Sequence, residues 1–150
     1  MKAILMSIKN KHICNIHSGL KTNELRTLPP KIDCPFKVYN YDTETSGGSG
    51  KVVSEWICDS MTTYLIYIGI PIHLITTGCV TASEIMKYTN NGDKNLTAMH
   101  ISNLVIYDTP KELSEFEKPH EYIYQSYRRK NSFFKGITRP PQNWCYVEEL

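Results

Sequence analysis

Two strand-length stretches, Phe36–Asp42 and Lys51–Cys58, flank Ser46-Gly47-Gly48-Ser49-Gly50, and this pairing constrains the fold more than any other feature. In the first, Phe36, Val38 and Asn40 alternate with Lys37, Tyr39 and Tyr41, so both faces of the strand are expected to be partly covered. In the second, Val52, Ser54, Trp56 and Cys58 share one face, while Val53, Glu55 and Ile57 share the other. A glycine/serine loop between two alternating runs predicts a hairpin, and the loop is too short to link domains.

The rest of the chain reads as strands separated by short helices. Lys2–Ile8 is an apolar run of strand length. Asn10 is expected to cap a helix ending at Ser18, with Ile13, Ile16 and Leu20 on one packing face. Gly19 is expected to end it in a left-handed conformation, with Leu20 folding back onto the last turn. Thr22–Arg26 reads as a strand stopped by Pro29 and Pro30. Thr81-Ala82-Ser83-Glu84 is a capping box, and Asn90-Asn91-Gly92-Asp93 stops the helix after it. Ala98–Asp108 alternates as a strand, and Thr109-Pro110-Lys111-Glu112 predicts a second capped helix running to Lys118-Pro119. Trp144–Val147 is the last strand, and Glu121–Gly136 fits no element. The expectation is an α+β fold, a small mixed barrel with short flanking helices, in one domain over residues 1–150.

Net charge is only +2, so overall charge does not mark a nucleic-acid binder. Its distribution is more suggestive. Residues 1–31 carry six cations against Glu24 alone, and 122–140 carry Arg128, Arg129, Lys130, Lys135 and Arg139 with no acid. Two basic ends meeting on one face would attract phosphate; the alternative is a set of solvated side chains. The five cysteines are odd in number and widely spaced, and the run Ala3–Met6 is too short for a signal peptide. Reduced thiols and a cytoplasmic location are expected. Ser60 to Ser83 holds no Lys, Arg, Asp or Glu, but Gly69, Pro71, His73 and Gly78 argue against a membrane span and for a buried crossover. No metal site is expected, because His12, Cys14 and His17 do not share one helix face. No cofactor is expected either.

The chemistry-bearing stretch is Gly19-Leu20-Lys21-Thr22-Asn23-Glu24-Leu25-Arg26. Its Gly-x-Lys-x-x-Glu-x-Arg spacing resembles the signature of the ASCH (activating signal cointegrator homology) family. Met1–Lys9, His100–Leu104, Tyr107-Asp108, Pro110–Phe116 and Arg139–Val147 are similar to the opening, centre and ending of small bacterial and phage members, so the likeness spans nearly the whole chain. The resemblance implies a PUA-like barrel that handles RNA or a nucleotide, with a basic cleft between the barrel and its first helix. Lys21, Glu24 and Arg26 would line that cleft, with His100 and Arg139 as further contacts. Arg26 suits a bidentate grip on phosphate, Lys21 a point charge on phosphate or a proton transfer, and Glu24 a base amino group. The three residues would equally make a structural ion-pair cluster at a barrel edge. Trp144 and Tyr146 would stack a base or serve as core.

The resemblance also implies alternatives. Some small ASCH proteins resemble amidohydrolases acting on N4-acetylcytidine, with the motif lysine, a threonine nucleophile and a later-strand glutamate. Here Glu24 stands where those enzymes place threonine, Thr22 lies two residues earlier, and Glu55 is the available later-strand carboxylate. A ribonuclease would call on Lys21, Glu24 and His100 for acid–base work. A host-interaction factor would call on a surface such as Phe133-Phe134. The balance of the residues favours binding over catalysis, with no membrane association.

Overall fold

A computed structural model describes residues 2–119 and 136–150. Arg128, Arg129, Lys130, Phe133, Phe134 and Lys135 lie outside the described residues. Among the described residues, six strands and three α-helices follow in the order β1 (Lys2–Ile8), α1 (Asn10–His17), β2 (Asn23–Arg26), β3 (Phe36–Asp42), β4 (Val52–Tyr64), α2 (Ile72–Gly78), α3 (Ala82–Tyr88), β5 (Leu96–Lys111) and β6 (Trp144–Glu148). The strands form one mixed sheet ordered β2-β5-β4-β3-β1-β6. Only β1 and β3 pair in parallel, joined through α1 and β2, and every other neighbour is antiparallel.

The sheet curls because its longest pair is irregular. Between β4 and β5 the register shifts three times, between Val52 and Ser54, Glu55 and Ile57, and Cys58 and Met61. Each such irregularity bends and twists a strand. The curl encloses Ile4, Met6, Ile8, Val38, Trp56 and Met99, and α1 seals it with Ile13 and Ile16. The outer face is covered too. Ala3, Leu5, Tyr39, Tyr41 and Val147 pack there beneath Phe116 and Ile137. A third cluster, from Leu25 to Ala98, seats α2 and α3 against β2 and the start of β5.

The backbone ladder leaves β2 and β6 as edges, and side chains bridge the seam between them. Trp144 Nε1 donates to Leu28 O at 2.7 Å. Tyr146 Oη accepts from Lys31 N at 3.1 Å and donates to Lys31 O at 3.2 Å. Arg26 donates to Ser7 O at 3.0 Å and to Asn143 Oδ1. The result is an α+β, PUA-like half-barrel with three short helices.

Four local expectations need correction. Asn10 is the first helical residue, not the cap: its amide donates to both Asp42 carboxylate oxygens, at 3.2 and 3.3 Å, and Lys9 stands at the N-cap. Leu20 does not fold back and is 66% exposed, although Gly19 adopts φ +79°. The charge-free stretch is not a buried crossover. β4 continues through it to Tyr64, and Tyr67, Ile68 and Ile72 beyond are largely exposed. No helix among the described residues is long and apolar enough to cross a membrane. Finally, no helix starts at Thr109-Pro110. β5 runs on to Lys111, which pairs with Val52, and the capping box shifts to Glu112 and Glu115 around a single 3-10 turn. Pro110 is tolerated because β2 pairs only with Thr97–His100, so β5 has one neighbour there.

Candidate functional site

Three elements bring the motif together. The Gly19 turn, closed by Lys21 N donating to Asn15 O at 2.9 Å, sends the chain from α1 into β2. β2 then pairs with β5, Glu24 opposite Met99, which aims Glu24 into the interior. Arg26, two residues on, shares that face. Glu24 is 5% exposed and Lys21 3%.

Glu24 is the hub. Its Oε1 accepts from Arg26 Nε at 2.9 Å, with Arg26 Nη2 also at 2.9 Å. Lys21 Nζ lies 3.5 Å from Oε2 and donates to Gly78 O at 2.6 Å. That carbonyl closes α2, so the helix dipole also favours a cation there. Burial opposes the charge on Glu24, but Lys21 and Arg26 outweigh it and hold the carboxyl below its usual range. Oε2 makes no hydrogen bond, and neither does His12 Nδ1, also a buried atom. Burial, with Lys21 nearby, keeps His12 below its ordinary pKa.

Both unbonded atoms belong to residues lining one cavity of about 730 Å³ between α1, α3 and the β1–β2 side of the barrel. Lys9, Lys11 and Lys87 line it and are exposed, and Tyr88, 45% exposed, forms part of its wall. Arg26 also lines it, but its guanidinium is engaged by Glu24, Ser7 O and Asn143.

The remaining residues singled out from the sequence lie elsewhere. His100 pairs with Asn23 on the opposite face of β5 from Met99, is exposed, and binds Asp59 Oδ1 through Nδ1 at 2.7 Å. Arg139 is exposed and does not line the cavity. Glu55 is bound by Lys37 at 3.1 Å and by the Tyr107 hydroxyl, away from the cavity. Thr22 is exposed, and its main chain bonds Thr77 and Ile101. Trp144 and Tyr146 are spent on the seam. His12 and Tyr88 were not singled out for this site. Their sequence signal is weak, because a helix histidine and a helix tyrosine beside apolar neighbours read first as packing. No group of three or more potential metal ligands forms among the described residues.

A curled mixed sheet sealed by a helix, with a cavity beside that helix, is an α+β fold consistent with the PUA-like class. Within it, the chain is similar to solved ASCH structures. ASCH from Zymomonas mobilis superposes with a TM-score of 0.69 at 16% identity, over 98% of this chain and 88% of that one. A serine-to-alanine variant of that protein gives 0.67 at 15% identity, over 98% and 89%. A tyrosine-to-phenylalanine variant gives 0.67 at 16%, over 99% and 92%. At this identity the likeness establishes the shared fold. No protein-family model and no curated protein matches the chain.

Proposed function

We propose that this chain is an ASCH-type module that binds single-stranded RNA or a nucleotide in the Glu24 cavity. One observation carries the reading: a buried carboxylate, held ionised by two cations, keeps an oxygen without a hydrogen-bond donor in a cavity rimmed by lysines. Oε2 has the ion pair with Lys21 at 3.5 Å but no hydrogen bond, and a ligand N–H would supply one. An exocyclic amino group of adenine, cytosine or guanine supplies such a donor, whereas uracil offers only its ring N3–H. Lys9 and Lys87 are exposed where they can face phosphate, Lys11 stands beside them in an exposed ion pair with Glu84 at 3.5 Å, and Tyr88 offers a ring on which a base stacks. Arg26 and Lys21 act as positioning residues that hold Glu24 charged and aimed. His100 and Arg139 keep only a peripheral part in this reading. The five free thiols suit a reducing cytoplasm.

The test is a titration of labelled single-stranded RNA at several salt concentrations. Wild type is expected to bind saturably, and Lys9→Ala/Lys11→Ala/Lys87→Ala to bind more weakly. Three lost phosphate contacts should flatten the log–log salt slope by about 2. Tyr88→Ala should cost about 1–3 kcal/mol with little change in slope. Absence of saturable binding at low salt contradicts the proposal.

A further inference from the structure

The seam strap and the barrel interior meet at two sulfurs. Cys34 lies in the segment that leaves β2, crosses β6 at Leu28 and Lys31, and enters β3. Cys58 is the last inward-facing residue of the regular part of β4 and is fully buried. Phe36 pairs with Cys58 in the β3–β4 ladder, so Cys34 sits two residues beyond that pair and folds across the strand end. The two Sγ atoms are 3.9 Å apart. No other thiols are paired in this way. Cys14 donates to Asn10 and Cys79 to Thr76 on their own helices, while Cys145 packs on the outer face of the sheet.

We propose that Cys34 and Cys58 form a modification site, a vicinal dithiol that a hydroperoxide converts to a disulfide. The two thiols differ in their fitness for the first step. Cys34 is partly exposed, whereas Cys58 is enclosed and its thiol is held protonated by burial and by the neighbouring sulfur. Cys34 thiolate attacks the peroxide, the O–O bond breaks, and the outer oxygen leaves as water or an alcohol after taking a proton. Cys34 is thereby oxidised to the sulfenic acid. Cys58 Sγ then attacks Cys34 Sγ, the S–O bond breaks, and water leaves with the Cys58 proton. The bond requires the sulfurs to close from 3.9 Å to about 2.0 Å, by side-chain rotation with a small adjustment of the strap. The product ties the strap covalently to β4 beside Trp144 and Tyr146, which already fasten it to β6.

The proposal is independent of the cavity. Its test is treatment of the folded, reduced protein with a few equivalents of hydrogen peroxide, followed by intact mass measurement and non-reducing peptide mapping. The expected result is a monomer lighter by about 2 Da, a linked Cys34–Cys58 peptide and full reversal by dithiothreitol. The thermal midpoint should rise by about 5–15 °C in wild type and not in Cys34→Ser. If Cys58→Ser does not fold, alkylation of the oxidised wild type after unfolding gives the same information, because a linked Cys58 cannot be labelled. Cys58 that labels fully after peroxide treatment overturns the proposal. So does oxidation that ends at Cys34 sulfinic acid, or at intermolecular disulfides through Cys14.

Discussion

Glu24 carries a charge in a place that disfavours one, and the residues around it follow from that. Burial of a carboxylate is tolerated only with close partners, and removing one partner from such a pair is costly. Arg26→Ala is therefore expected to lower unfolding free energy by about 3–5 kcal/mol, read by urea denaturation, since it also unfastens Ser7 and Asn143. Lys21, Glu24 and Arg26 could be picked out from the motif, but the use of Arg26 as a clasp could not. Its partners stand 19 and 117 residues away, beyond any local pattern. Acid should act on the fold in two windows. The folded-state pKa of Glu24 is depressed, so its contribution is present above the unfolded carboxyl value and is lost as pH falls through the folded one. His12 and His17 are also depressed, by burial first, so their neutral forms lend stability above about pH 6.5 that declines toward their folded values. Unfolding free energy measured from pH 7 to 3 should fall in both windows. The fall between pH 7 and 5 should be smaller in His12→Gln.

Elements were legible where local chemistry decides them and obscure where pairing does. The β1 and β3 boundaries and the hairpin follow from alternation and the glycine loop. The start of α3 follows from Thr81, whose side chain accepts from Glu84 N at 3.1 Å. Thr81→Ala should cost about 1 kcal/mol in a denaturation midpoint experiment. The second capping signal misled because β4 recruits β5 as far as Lys111, and the ladder overrides a weak local preference. The extension of β4 to Tyr64 stayed hidden because inward alternation stops at Cys58, where the register shifts. α2 gives an internal contrast. Leu74 is fully buried and Ile72 is 82% exposed, although both are apolar and two residues apart. Leu74→Ala should destabilise by about 2–5 kcal/mol, and Ile72→Lys should stay within about 0.5 kcal/mol.

At the scale of the molecule, strand order and seam were not legible, because both rest on contacts between the two ends of the chain. β6 joins β1, and Trp144 and Tyr146 then reach the strap after β2. These two aromatics fasten the barrel, and the ring left at the cavity is Tyr88. The +2 net charge hid a similar distinction: the buried cations hold Glu24, while the exposed lysines face the cavity mouth. The most direct test of the central claim is a backbone amide NMR titration with a short adenine- and cytosine-containing single-stranded RNA. The account predicts saturable shifts concentrated at Lys9–His12, Lys21–Arg26 and Glu84–Tyr88. Shifts that avoid these segments, or that gather around Asp59 and His100 on the opposite face, would contradict it.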